Sequence, residues 1–230
     1  MLGIIGLGGT CHDTPLLRSA VPQLYYAVAA DSGLAHFKML GIKADLLVGD
    51  MDSISDSLME QSKKEHLAIQ QYDCRKDSTD SEIAVEKALN HGCDSLLFIG
   101  AFGSRLDHML SNQMMAASLA ARGIPVILTD GVTFFYTITP QNSPFTYPSQ
   151  SLRQNEDVLS MIPVGGGTVV ITLDGFEYPL DRETIFFGST RTVSNTVPSF
   201  EKRKTDHLSI SLQEGIIFFI LTKSDEFLMK

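Results

Sequence analysis

The most constraining feature of this chain is a rhythm in its first 130 residues. Six short runs, residues 3–7, 25–30, 45–48, 67–71, 95–99 and 125–128, are nearly continuous in apolar side chains. A strand with one wet face alternates polar and apolar residues. A continuous apolar run belongs to a strand covered on both faces. Between these runs lie stretches with helical spacing. The clearest are residues 81–90, with Ile83, Val85, Ala88 and Leu89, and residues 106–121, with Leu110, Met114, Ala117 and Ala121. Strand and helix in alternation predict an α/β domain: a parallel sheet with helices on both faces.

The texture changes near residue 139. Residues 139–157 carry Pro140, Pro144 and Pro148 among Gln, Asn and Ser, which reads as a linker. Beyond it come strand-like runs at 158–162, 168–173, 184–187, 207–212 and 216–221, separated by turn signals such as Gly165-Gly166-Gly167 and Asp174-Gly175. These predict a smaller all-β domain of sandwich or barrel type. The 230 residues are thus expected to divide into an α/β domain at 1–140 and a β-rich domain at 141–230.

Composition narrows the function. The longest unbroken apolar run is seven residues, 24–30, against about 20 for a membrane span. The first residues lack the basic start and long apolar stretch of a signal peptide, so a cytoplasmic protein is expected. Cys11, Cys74 and Cys93 are scattered, with no Cys-x-x-Cys pair, and read as ordinary reduced thiols. A net charge of −9 argues against nucleic acid as a partner. An anionic small ligand would then need cations to mediate.

In an open parallel sheet, ligands bind beyond the carboxyl ends of the strands. Those ends carry acids in this chain. Asp31-Ser32-Gly33 follows the second run, and Gly49-Asp50-Met51-Asp52-Ser53 the third. Asp73 and then Arg75-Lys76-Asp77-Ser78-Thr79-Asp80 follow the fourth, and Gly103-Ser104-Arg105-Leu106-Asp107-His108 the fifth. A correct sheet brings these groups to one rim. In an extended segment Asp50 and Asp52, two apart, point to one face. Such a pair suits Mg²⁺, which takes one or two carboxylates plus substrate phosphates. Taken alone, the pair also suits a solvated turn.

Asp77 and Asp80 are expected to open a helix, with Thr79 and Glu82 spaced as a capping box. A capped N-terminus beside Lys76 is also a phosphate seat. Arg105 is a natural bidentate partner for phosphate, whereas His108 suits a structural hydrogen bond as well as catalysis. Asp107 and Asn112 share the Asp-x-x-x-x-Asn spacing of a protein-kinase loop, but the other kinase motifs are missing and the match reads as chance. Gly6-Leu7-Gly8-Gly9-Thr10 permits close approach of backbone to a ligand, or is only a turn.

Together these segments resemble the thiamine pyrophosphokinase family. The combination is Asp31-Ser32-Gly33, Gly49-Asp50-Met51-Asp52-Ser53, Asp77-Ser78-Thr79-Asp80, Arg105-Leu106-Asp107-His108 and Ser194-Asn195, in order and spacing from about residue 30 to 196. The chain departs from the family pattern at Ser32 and Ser104, where glycine is usual, and at Thr196, where an acid is usual. The resemblance implies transfer of a pyrophosphoryl group from ATP to the thiamine hydroxyl, giving thiamine diphosphate and AMP. It implies that Asp50, Asp52 and Asp80 hold Mg²⁺ on the phosphates with Asp31 close by. Lys76 and Arg105 would supply fixed positive charge in an ATP site that includes Asp107 and His108. Asp77 or Asp107 would orient the hydroxyl and take its proton. By the same resemblance Ser194 and Asn195 contact thiamine, with Phe176, Tyr178 or Phe200 as candidates to cover its ring. The expected assembly is a homodimer with the vitamin at the subunit interface. Two rival readings are a phosphatase of the haloacid dehalogenase type, with Asp50 as nucleophile and Asp52 as acid, and a silent nucleotide- or thiamine-binding module.

Overall fold

The computed structural model describes residues 1–73 and 77–224. By Cα packing the chain forms two compact units, one of Met1–Gln113 with Leu128–Gly131, the other of Met114–Ile127 with the residues from Val132 onward. In chain order the α/β elements are β1 (Leu2–Gly6), α1 (Pro15–Ala20), β2 (Tyr25–Ala30), α2 (Gly33–Leu40), β3 (Leu46–Gly49), α3 (Asp56–Lys64), β4 (Ala68–Gln71), α4 (Asp80–Asn90), β5 (Ser95–Ile99), α5 (Leu106–Ala121) and β6 (Val126–Thr129).

In the first unit β4, β3, β2, β1 and β5 lie side by side in that order, every neighbouring pair parallel. The chain walks outward from β1 to β4, then returns to the other side of β1 for β5. The order reverses there, so the carboxyl ends of β1 and β5 border the crevice of an open α/β sheet. Ile4, Ile5, Val28, Leu47 and Phe98 are fully buried, as continuous apolar strands require. Both faces are covered. A Cβ on Gly3 would stand 3.1 Å from Ala88 of α4, and one on Gly6 would stand 2.8 Å from Phe37 of α2. Three residues apart on one strand, those two positions face opposite ways, so α2 and α4 flank opposite faces. The α/β unit is therefore doubly wound, as its sequence predicted.

The second unit carries β7 (Thr133–Ile138), β8 (Phe145–Pro148), β9 (Val158–Val164), β10 (Thr168–Asp174), β11 (Leu180–Phe186), β12 (His207–Glu214) and β13 (Ile216–Thr222). Strands β7, β13 and β9 are antiparallel neighbours, and β11, β10, β12 and β8 form a four-stranded antiparallel sheet. One core joins them. Leu159 and Met161, Val169, Ile171 and Leu173, Leu208, Ile210 and Leu212, and Ile217, Phe219 and Leu221 are all buried in it. Their spacing of two is that of strands with one face inward.

The linker expected at 139–157 is not a linker. It contains β8 and two short 3-10 turns, and β8 pairs with β12 from His207↔Pro148 to Ile210↔Phe145. Aromatic packing overrides the proline signal: Tyr136, Phe145 and Phe219 have ring centroids 5.2–5.7 Å apart. Pro148 is tolerated because β8 is an edge strand. Strand β11 also begins earlier than its apolar run suggests, since an edge strand with mostly exposed side chains has no need of one. Among the described residues no helix is long and apolar enough to cross a membrane.

Candidate active site

A cleft of about 730 Å³ opens in the first unit, beyond the carboxyl ends of the strands. Its wall is assembled loop by loop. Leu7, Gly8 and Gly9 come from the end of β1, Asp31 and Ser32 from β2, and Asp50, Asp52 and Ser53 from β3. Asp77 through Ser81 precede and open α4, Gly100 through Arg105 follow β5, and His108, Met109 and Asn112 come from α5. Five of the acids expected on one rim, Asp31, Asp50, Asp52, Asp77 and Asp80, therefore meet there.

Local backbone chemistry sets each group. The β1 and β5 loops are laced together, with Gly9 N–H donating to Gly100 O (3.0 Å) and Thr10 N–H to Phe102 O (2.6 Å). A Cβ on Gly9 would fall 2.1 Å from Phe102 O, so only glycine permits the lacing. His36 Nε2 hydrogen-bonds Gly9 O at 2.8 Å and pins the loop from α2. Asp31 sits at φ 45°, a conformation that Asp tolerates better than most residues. Its carboxylate accepts from Met51 N–H at 3.1 Å. A Cβ on Gly49 would lie 1.8 Å from Asp31 Oδ1, so the glycine makes room for the acid.

The segment Asp50-Met51-Asp52 is a turn rather than an extended stretch. Met51 has φ 70° and Asp52 N–H donates to Asp50 Oδ1 at 3.1 Å. The turn nevertheless leaves both carboxylates on the cleft, by curvature instead of by strand alternation. Thr79 caps α4, its hydroxyl accepting from Glu82 N–H at 3.3 Å. Helix α4 starts at Asp80, so Asp77 lies ahead of the cap rather than in the first turn. Lys76 lies outside the described residues.

The electrostatics are those of crowded acids. Burial pushes the Asp31 carboxyl up to about 6, with the charges of Asp80 and Asp50 adding to it and the Met51 bond opposing. Asp52 is likewise held above the usual carboxylate range, chiefly by its hydrogen bond and repulsion with Asp50. Asp107 behaves differently. Arg105 grips it through Nε (3.0 Å) and Nη2 (2.7 Å), and the guanidinium holds its carboxyl far below the usual range. Asp107 does not line the cleft, although Arg105 and His108 on either side of it do. Of the acids expected together, the structure unites Asp31, Asp50, Asp52, Asp77 and Asp80 on the cleft and leaves Asp73 and Asp107 off its lining. Among the described residues no three His, Cys, Asp or Glu side chains form a ready-made metal cage.

In the second unit Ser194 is exposed at φ 60°. Asn195 is buried, and its amide is spent on backbone: Oδ1 accepts from Tyr178 N–H and Thr196 N–H, and Nδ2 donates to Tyr178 O. Phe176 belongs to the core of that unit and cannot cover a ligand ring, whereas Tyr178 and Phe200 are exposed. Met109 escaped the sequence reading, and Asn112 entered it only through a spacing that reads as chance. The signal for them was the spacing 105, 108, 109, 112, one face of a helix running into the cleft.

A doubly wound sheet whose switch-point crevice gathers glycine loops, carboxylates and an arginine defines a class: an α/β protein built to hold and transfer phosphates. Comparison with known proteins narrows it. Residues 17–128 match the model for the thiamin pyrophosphokinase catalytic domain, and residues 149–217 the model for the thiamin pyrophosphokinase vitamin B1 binding domain. The chain is 29% identical over 213 residues to the thiamine pyrophosphokinase of Bacillus subtilis (strain 168), covering 93% of this chain and 94% of that one. The crystal structure of thiamine pyrophosphokinase from Bacillus subtilis superposes with a TM-score of 0.79 at 25% identity, covering 96% of this chain and 98% of that one. That of Geobacillus thermodenitrificans gives 0.74 at 26%, covering 99% of each. The chain belongs to the thiamine pyrophosphokinase family, whose members are pyrophosphoryl-transferring kinases.

Proposed function

We propose that the cleft of the first unit binds ATP and transfers its terminal pyrophosphoryl group to the hydroxyl of thiamine, in the cytoplasm. The thiamine oxygen forms a bond to the β-phosphorus as the bond from that phosphorus to the α,β-bridging oxygen breaks. AMP leaves with that oxygen, and the hydroxyl proton passes to a carboxylate. The products are thiamine diphosphate and AMP. The observation that carries this reading is the convergence of Asp31, Asp50, Asp52, Asp77 and Asp80 on one cleft that also holds two glycine loops and Arg105.

The donor set fits Mg²⁺. Burial together with neighbouring acids holds Asp31 above its ordinary range, and Asp50 does the same to Asp52, a cost that a divalent cation would relieve. Asp50, Asp52 and Asp80 would hold the ion, with Asp31 beside them. When bound it would neutralise charge on the phosphates. Arg105, kept in one orientation by its two bonds to Asp107, presents positive charge to the departing phosphate. Lys76 belongs to the same proposal. Two observations favour Asp77 over Asp107 as proton acceptor: Asp77 lines the cleft, and Arg105 makes Asp107 a weak base. Positioning and charge compensation of this kind carry most of the catalysis in phosphoryl transfer.

We assign residues 1–140 to catalysis and 141–230 to thiamine binding, with Ser194 as the contact and Asn195 shaping its turn. A homodimer is part of the proposal. Leu106 and Leu110, 64% and 53% exposed on α5, give it apolar surface to cover, and sedimentation should report twice the mass of the chain. The deciding assay is product analysis with Mg-ATP. Thiamine-dependent AMP release is expected; free phosphate, or AMP release indifferent to thiamine, overturns the proposal.

A further inference from the structure

Helix α5 sends a second polar group into the cleft that neither the family resemblance nor the reaction above employs. Asn112 is 7% exposed and lines the cleft. None of the described residues takes up its side-chain amide, whose polar atoms are not sealed from solvent and open on the cleft. Water of the cleft serves such an amide until a ligand arrives, and a ligand that displaces that water must supply matching bonds itself. The Asp-x-x-x-x-Asn spacing seen in the sequence thus separates two roles: Asp107 turns away to Arg105 while Asn112 faces the cleft.

We infer that Asn112 is a specificity-determining residue that reads the adenine edge of the nucleotide. The inference rests on the proposed ATP-binding role of this cleft and deepens it. Three observations direct the choice. Asn112 stands seven residues along from Arg105, about 10 Å along a helix axis, roughly the reach from a nucleotide's β-phosphate to its base. Its companions on the wall include Ala101, Phe102 and Met109, which suit the face of a base rather than a phosphate. An amide also presents a donor and an acceptor side by side, the complement of an exocyclic amine next to a ring nitrogen, as in paired contacts of Asn with adenine. Thiamine's aminopyrimidine has a similar edge. The vitamin B1 binding model, however, matches residues 149–217, in the other unit, whereas Asn112 lies within the residues that match the catalytic model.

Calorimetric binding of AMP, GMP and inorganic pyrophosphate to the full chain, together with kcat and KM for ATP, GTP and thiamine, tests the inference. The variants are Asn112→Ala and Asn112→Asp, the second keeping shape while losing both amide donors; melting curves confirm that each is folded. Wild type should prefer AMP to GMP by roughly 5- to 150-fold, the range of one bidentate amide contact. Asn112→Ala should erase most of that preference, raise the KM for ATP more than it lowers kcat, and leave pyrophosphate binding unchanged. Asn112→Asp should favour the guanine nucleotide, whose edge donates. An unchanged AMP-to-GMP ratio in Asn112→Ala overturns the inference, as does an equal loss of pyrophosphate, which marks a phosphate contact. A rise confined to the KM for thiamine overturns it in favour of the vitamin's edge. Wild type that binds neither AMP nor ATP overturns the proposed function itself, a result distinct from any of these.

Discussion

The two units treat buried acid in opposite ways. In the β unit Asp157 is 1% exposed at its side chain and pairs with Lys223, 3% exposed, at 2.7 Å. Arg153 N–H and Ser224 N–H donate to the same carboxylate, and Lys223 Nζ also donates to Ser151 O. Every charge there has a partner supplied by the fold. In the α/β unit Asp31 is half-buried, takes one backbone bond, and otherwise faces the repelling charges of Asp80 and Asp50. A chain that completes one carboxylate so thoroughly has the means to complete the other. The difference marks Asp157 as an internal staple and supports the proposal that the Asp31 cluster holds a divalent cation.

Four changes test that contrast, beginning with the largest effect. Phe219→Ala removes a fully buried ring that touches Tyr136, Phe145, Tyr147 and Phe176. It should cost about 3–5 kcal/mol in urea denaturation, with nucleotide binding intact in the folded protein; loss of both together would erase the distinction between the units. Lys223→Met leaves Asp157 buried without its cation and should cost about 3–4 kcal/mol, partly recovered by adding Asp157→Asn. No recovery in the double variant would mean that the pair is not the staple. Asp52→Asn should lower AMP formation about 100-fold, or ~2.7 kcal/mol of barrier, without lowering the melting temperature of the metal-free protein. Asp31→Asn should stabilise the metal-free protein by about 1–2 kcal/mol near pH 7.5, after discounting for partial exposure. The sign follows from a folded pKa of about 6 against an ordinary 3.8. Protonated Asp31 favours folding below about pH 4, and that contribution is gone above about 6, so the gain from Asn should shrink to nothing on acidification. A gain independent of pH would point to a cause other than charge.

Much of the architecture was written in local pattern. Continuous apolar runs marked β1, β2 and β5 to within a residue, and helical spacing gave α5 at its observed limits. Acids placed after strands disclosed the cleft, because the carboxyl ends of parallel strands share one edge. The failures have equally physical causes. Residues 139–157 read as a linker because three prolines and polar neighbours outweighed Phe145 and Tyr147, whose value lies in rings distant in sequence. Asp107 sat in the most conspicuous motif, yet two bonds to Arg105, two residues away, turn it from the cleft. Asn112 was read only as a chance spacing, because an Asn inside a helix carries no local mark of burial.

The order of residues alone determined the alternation of strand and helix, the acids at strand ends, the glycines that their loops demand and the family to which they belong. These depend on spacing and backbone sterics, which neighbours in the chain settle among themselves. Tertiary structure alone decided which acid receives a cation and which is left to repel, that Asp107 faces outward, and that Asn112 meets the cleft. Burial and charge pairing are set by residues far apart in sequence, and a distance that only folding creates cannot be read from a string.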